Sequence, residues 1–382
     1  MRTLIDLIKA PEGRQFLESN GVLVSQEAYK AKLKPPVNSA MTSALGLDVN
    51  KMLICSGQQL YVDYRQSVLS KISALQDLEK DTDLSVFFLW VDTDRSGSDS
   101  LMTKFAWPTS SKKGAIGIAP SKTQDIELRF VELDPMQLRR AIDKLGTHLR
   151  QSEVNRNGAK LRYQQLRTRF VDEESGTLSH FNHQITNILL NDQFGFSPHS
   201  VVASEIIKNE FVKREINLLL NNINDVIKVC NETIDLLLEK EIDPQLRHRR
   251  EDYLPLFYSC DRDDQRFRLH HIIEGDAHFA IGACGSRHIH KFYLGSDTLS
   301  IDSLAQTERW SPDVFLPGLL NDMVSGFVAG RSSALYLIVL NAVLRQVLGK
   351  SPVPVLVPES LAVENNTPEQ IDSLLYSYFN AG

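Results

Sequence analysis

Apolar positions change period along the chain, and each change marks an element. Met52–Cys55 is a short apolar run stopped by Ser56-Gly57. Tyr64, Val68, Ile72 and Leu75 then recur every three to four residues, which is one face of a helix. Val86–Val91 is a second apolar run, rich in β-branched and aromatic side chains, and it ends at Asp92 and Asp94. Strand, crossover helix and strand make a βαβ unit, and such a unit implies a parallel sheet with helices on its faces. Ligands of open sheets of this kind sit beyond the carboxyl ends of the strands. Those ends are the Ser56–Gln59 turn and the acidic turn after Val91.

The same reading divides the rest of the chain. Residues 1–50 read as an accessory segment: Leu4, Ile5 and Ile8 suggest a short helix, and Lys34-Pro35-Pro36 breaks any later one. Residues 51–150 begin a Rossmann-like core. They include a Ser-, Lys- and Gly-rich loop over 107–125, a strand over Glu127–Leu133 and a helix opened by Pro135. Residues 151–252 read as helical. Within them Ile216, Leu220, Ile223, Ile227, Cys230, Ile234 and Leu237 alternate four and three apart, a heptad seam that serves either a helix inside its own domain or a dimer. Residues 253–298 carry short strand-like runs separated by Asp263-Asp264 and Glu274-Gly275-Asp276, a small antiparallel insert. Residues 299–382 return to the α/β pattern, with a helix over Ser332–Leu348 and a strand at Val353–Val357. The expected fold is α/β: a Rossmann-like parallel core with a helical insert and a small β insert.

Charge narrows the function classes. The 382 residues carry a formal charge of −6, which offers no overall basic field to nucleic acid or anionic membrane. No apolar run approaches the ~20 residues needed to span a bilayer. No secretory leader is apparent, and Cys55, Cys230, Cys260 and Cys284 do not form a disulfide-like pattern, so a cytoplasmic location is the expectation.

Three constellations carry candidate chemistry. Gly57-Gln58-Gln59, with Lys71 further along the helix, could hold an anion through free N–H groups, or could simply turn the chain. Asp92, Asp94 and Asp99 crowd a strand end, where carboxylates hold Mg²⁺ with a nucleotide or grip an amine; a solvated turn is the plainer account. Gly330-Arg331-Ser332-Ser333 opens a helix, with Ser332 a natural N-cap and Arg331 suited to phosphate or carboxylate. The histidines and cysteines between Cys260 and His290 lack standard zinc spacing, so no zinc is expected. Cys55, on a buried strand, reads as core rather than nucleophile.

Taken in order, these segments resemble the bacillithiol-biosynthesis cysteine-adding enzymes. Ser56-Gly57-Gln58-Gln59, the Lys71 helix and Phe87-Phe88-Leu89-Trp90 resemble that family's opening. Leu256-Phe257-Tyr258 with Arg266, Trp310-Ser311-Pro312-Asp313-Val314, Leu319-Leu320-Asn321-Asp322, Phe327 to Tyr336 and Val353–Pro358 come after it in the family's order. The likeness spans roughly residues 51–365. It implies a Rossmann-like core and a ligase that joins cysteine to an amine. ATP or ADP with Mg²⁺ would bind Ser56, Gly57, Gln58, Gln59, Lys71 and Gly330–Ser333. Asp92 and Asp94 would do the chemistry, and Trp90, Asp99, Asp322 and Tyr336 would contact substrate. The departures are Asp94-Arg95-Ser96-Gly97 where the family carries a histidine, Pro317 where it carries an arginine, and Gly330-Arg331-Ser332-Ser333 where it has Gly-Pro-Gly-Glu. A non-catalytic partner or scaffold subunit is the alternative. The expected partners are an amino acid and an amine acceptor, neither nucleic acid nor membrane, and a second copy of the chain through the 216–237 helix.

Overall fold

The computed structural model describes residues 1–64, 67–108, 113–151, 156–171, 176–360 and 374–380. Its strands are β1 (Val22–Leu23), β2 (Met52–Gln59), β3 (Leu84–Val91), β4 (Lys104–Pro108), β5 (Lys113–Gly117), β6 (His199–Val202), β7 (Tyr253–Ser259), β8 (Arg266–Glu274), β9 (Ala277–Ala283), β10 (Ile289–Gly295), β11 (Trp310–Pro312), β12 (Gly326–Val328) and β13 (Val355–Leu356). A six-stranded sheet has the order β1-β13-β12-β2-β3-β6, and every pairing in it is parallel. Helices cover both faces, as a Rossmann-like core requires.

Alternation along the strands assigns the two faces. Leu53, Cys55, Phe87 and Leu89 point into one apolar core with the helix Arg331–Gln346 and the helices Glu210–Asn221 and Ile223–Glu239. Ile54, Val86, Phe88 and Trp90 point into the other, with the helices Ser67–Glu79 and Leu178–Phe194. Period-two side-chain direction and burial on both faces explain why these strands read as continuous apolar runs.

The βαβ unit forms, but its first strand is longer than its apolar run. β2 continues through Ser56, Gly57, Gln58 and Gln59, which pair with Phe88, Leu89, Trp90 and Val91. Ladder bonds to a long, buried neighbour override the weak strand preference of Gly and Gln. Ser56–Gln59 is therefore strand, not a turn, and the described helix after it spans Ser67–Glu79.

Residues 1–50 are not an accessory. β1 is an edge strand of the sheet against β13, and Leu4, Leu7, Ile8 and Leu17 are buried in the core. The expected 107–125 loop takes in the end of β4 and all of β5, which pair antiparallel, and its residues 109–112 lie outside the described residues. Glu127–Leu133 is not a strand: it holds a 3-10 turn at Leu128–Phe130 and single bridges from Glu127 to Arg95 and from Glu132 to Thr177.

The heptad seam divides at Asn222 into two helices. Ile216, Leu220, Ile223, Cys230, Ile234 and Leu237 are all buried in this chain's own core. The seam is used inside this chain, the reading in which it serves a helix of its own domain.

The β insert forms as four antiparallel strands, β10-β9-β8-β7, and β11 joins their edge. No described helix is long and apolar enough to cross a membrane.

Candidate functional site

The sheet order creates one topological switch. From β2 the chain proceeds outward through β3 to β6; it returns at β12, on the other side of β2, and proceeds outward through β13. Ligands of open parallel sheets bind at such a switch, outside the carboxyl ends. The ends that meet here are Gln58–Gln59 of β2 and Ala329–Gly330 after β12. The acidic segment after β3 lies beside them.

At this edge the helix Arg331–Gln346 starts directly after β12. Gly330, not Ser332, is its N-cap. The Gly330 N–H donates to Ser333 Oγ at 2.9 Å, and that hydroxyl donates to the Gly330 carbonyl at 3.2 Å. Ser332 is exposed. The first N–H groups of a helix have no intrahelical acceptor and carry its positive dipole end, so the turn at 331–333 suits an anion.

Lys71 reaches the same edge from beneath. It is buried, and its Nζ donates to the Gly57 carbonyl and to Gln58 Oε1, both at 2.7 Å. Burial pushes its ammonium down to about 8. A lysine so placed can hold or release a proton near neutrality. Its hydrogen bonds are directed into the protein, so it fixes the β2 end rather than presenting a charge to a phosphate. The Gly330 backbone lies close to it: a Cβ there would stand 3.7 Å from Lys71 Cδ.

Beside this edge stands a charge network of which the chain's local patterns gave little sign. Asp94 accepts from Gln59 Nε2 at 2.7 Å and from Arg266 Nη1 at 3.4 Å. Gln59 Oε1 in turn accepts from Tyr61 Oη at 2.7 Å. Glu127 is fully buried. It accepts from Arg266 Nε at 3.0 Å, Arg129 Nε at 2.6 Å and Ser311 Oγ at 2.7 Å. Arg266 also stacks on Phe257, its guanidinium carbon 3.7 Å from the ring centre. Two arginines and two carboxylates thus join the small antiparallel sheet to the carboxyl edge of the large one. Arg266 and Ser311 stood in the resembling segments. Glu127 and Arg129 carried no local signal: they pair with each other, but the partners that tie them to the small sheet, Arg266, Ser311 and the Trp310 carbonyl, are distant in sequence. Tyr336 lies on the first turns of the Arg331–Gln346 helix, where burial and the Asp94 charge push its hydroxyl up to about 12.

The remaining sequence candidates lie elsewhere or are already engaged. Asp92 is buried and accepts from Ser179 Oγ at 3.0 Å, the Ser204 N–H at 2.9 Å and Ser204 Oγ at 2.5 Å. It ties two helices to the end of β3. Asp99 caps a 3-10 turn through the Leu101 N–H. Asp92, Asp94 and Asp99 therefore do not converge, and no carboxylate cage for Mg²⁺ forms from them among the described residues. Ser56 Oγ donates to the Val328 carbonyl inside the sheet. Trp90 is core, 1% exposed. Asp322 precedes β12 and so lies at the opposite, amino edge of the sheet. There it binds Lys350, which also pairs with Glu215. Of the candidate set, the structure gathers Gln58, Gln59, Lys71, Asp94, Tyr336 and the Gly330–Ser333 turn at one edge.

No protein-family model matches the chain, and no curated protein matches it.

Proposed function

We propose that the carboxyl edge between β2 and β12 binds a small anionic or zwitterionic ligand, and that the protein is a ligase joining an amino acid such as cysteine to an amine. The observation that carries this reading is the juxtaposition at a topological switch of a helix N-terminus, Gly330–Ser333, with the Asp94–Gln59–Arg266 network. One end attracts a phosphate or carboxylate, and the Asp94 carboxylate attracts an ammonium. The resemblance to the cysteine-adding enzymes supplies the reaction class. The nucleotide in this reading is ATP or ADP. Its phosphates meet the first-turn N–H groups at 331–333, and Mg²⁺ is carried by the phosphates, since Asp92 and Asp99 are used in holding the fold.

The second reading, a non-catalytic partner subunit, draws on a specific observation. Asp92, one of the two acidic candidates for chemistry, is buried and saturated with hydrogen bonds. Calorimetric titration with ATP, ADP and single amino acids, with a parallel assay for ADP, AMP or pyrophosphate release, separates the two. The ligase reading expects binding that Asp94→Asn weakens by about tenfold to a hundredfold, the equivalent of a lost charge-assisted contact of roughly 1.5–3 kcal/mol. Nucleotide binding without turnover in the presence of amino acid and amine favours the partner subunit. Ligand binding that is indifferent to Asp94→Asn removes the site.

A further inference from the structure

The small antiparallel sheet contains a second cluster, outside the carboxyl edge. The β7–β8 connection and the β9–β10 connection leave the same end of that sheet and close on each other. The first brings Cys260 and Asp263; the second brings Cys284 and His288. One ligand atom from each of these four residues lies within 4.8 Å of all the others. Cys260 Sγ is 3.5 Å from His288 Nδ1, Cys284 Sγ is 3.4 Å from an Asp263 oxygen, and His288 Nδ1 is 3.6 Å from the same carboxylate. Both sulfurs are buried.

These separations match a tetrahedral metal shell. Zinc–sulfur bonds of about 2.3 Å and zinc–nitrogen or –oxygen bonds of about 2.0–2.1 Å at tetrahedral angles put neighbouring ligand atoms roughly 3.3–3.8 Å apart. Hydrogen bonding alone accounts for the cluster poorly. Cys260 Sγ also receives the Arg262 N–H at 3.5 Å and stands 3.3 Å from His290 Nε2. A neutral thiol is a weak acceptor with one proton to give, and it cannot serve so many neighbours well. A metal-bound thiolate can, and a backbone N–H donated to it is the outer support that such ligands need.

The backbone is shaped for the same purpose. The Cys284 N–H donates to the His288 carbonyl at 3.2 Å, and Arg287, at φ 64°, gives the Arg287 N–H back to the Cys284 carbonyl at 2.9 Å. The Cys260 N–H donates to the Gln265 carbonyl at 3.0 Å, with Asp264 at φ 57°. Both turns are tight loops that return a second ligand toward their first cysteine.

We propose that Cys260, Cys284, His288 and Asp263 form a structural zinc site that staples the two connections together, with His290 packed against Cys260 from outside the shell. Two thiolates, an imidazole and a carboxylate form a closed set of zinc-type donors. The irregular sequence spacing that argued against zinc arises because the ligands come from two connections of a β sheet. The staple has a consequence for the carboxyl edge. The Cys260–Gln265 loop leads directly into Arg266, whose N–H donates to the Asp125 carbonyl at 2.6 Å and whose guanidinium reaches Asp94 and Glu127. Zinc would hold the loop that aims Arg266.

Metal analysis of the full-length protein, purified without chelator and dialysed, is the test. About one zinc per chain is expected. X-ray absorption should give two sulfur and two nitrogen or oxygen neighbours, and Co²⁺ in place of zinc should give thiolate charge-transfer and tetrahedral d–d bands. Cys284→Ser and Cys260→Ser should lose the metal, while Cys230→Ala and His290→Gln keep it. The wild-type absorption spectra stand even if a cysteine variant fails to fold. The proposal is overturned if folded wild type neither carries nor takes up Zn²⁺ or Co²⁺, if the shell contains no sulfur, or if Cys260 and Cys284 are isolated as a disulfide.

Discussion

The two sheets of this protein are held by different physics. The parallel sheet is buried on both faces, and Ile54, Phe87 and Phe88 are 0% exposed. The antiparallel sheet leaves apolar side chains in water: Ile273, Ile289 and Tyr293 are 59%, 73% and 51% exposed. Its other face, with Leu256, Tyr258, Leu269, Ala280 and Leu294, joins the core, and polar linkages add to it. Asp313 binds Arg268 at 3.0 Å and Tyr253 Oη at 3.0 Å, and Arg309 binds the Ser259 and Cys260 carbonyls at 2.9 and 2.8 Å and pairs with Asp264. A sheet with one wet face buries too little apolar area to be stable alone, so charge pairs and covered edges must supply the difference. The Glu127–Arg266 contact is where the two regimes meet, and there the candidate site begins.

The sharpest test of this contrast is core truncation in each sheet. Phe88→Ala should cost about 3–5 kcal/mol, because the cavity opens in a fully packed core. Phe292→Ala, on the half-buried face of β10, should cost roughly 1–2 kcal/mol. Equilibrium urea unfolding of both variants measures the pair, and equal losses would mean that the small sheet is as apolar in its support as the large one. At the seam, Glu127→Ala strands Arg129 and Arg266 opposite a missing charge and should cost about 3–5 kcal/mol. Glu127→Gln, which keeps the shape and part of the bonding, should cost less by the same measurement.

Lys71 supplies a pH test of how dry the carboxyl edge is. Burial lowers its ammonium from 10.5 to about 8. Between those values the unfolded chain binds more protons than the folded one, so this group makes stability rise as pH increases from about 8 to 10.5. The gain is at most roughly 3 kcal/mol, since each pH unit of displacement corresponds to about 1.4 kcal/mol. Lys71→Met should flatten that rise in unfolding curves taken across the window. An unchanged slope in the variant would mean that Lys71 is hydrated. The smallest effect belongs to the anion turn: Ser333→Ala removes the side chain that closes Gly330 and should cost about 0.5–2 kcal/mol in thermal unfolding.

Local patterning was enough for the large elements. Runs such as Val86–Val91 and the stripe from Val68 to Leu75 encode strand and helix locally, because burial on a sheet face or a helix face imposes a period that short windows reveal. The parallel core, the four strands between Tyr253 and Gly295 and the carboxyl-edge position of Gln59, Asp94 and Gly330 all derive from that. Partnership, by contrast, was set only by the packed chain. Ser56–Gln59 becomes strand because β3 lies alongside all of it. The 216–237 seam is spent on this chain's own helix at 331–346 and on β7. Asp92 turns inward to Ser179 and Ser204, and Asp322 falls on the opposite edge, because strand direction and not residue type sets which end a carboxylate occupies. Glu127 finds Arg266, and Cys260 finds Cys284, across 139 and 24 residues of chain. No local period records such meetings; Cys260 and Cys284 meet once the strands of the small sheet pair, and Glu127 and Arg266 once the two sheets have packed.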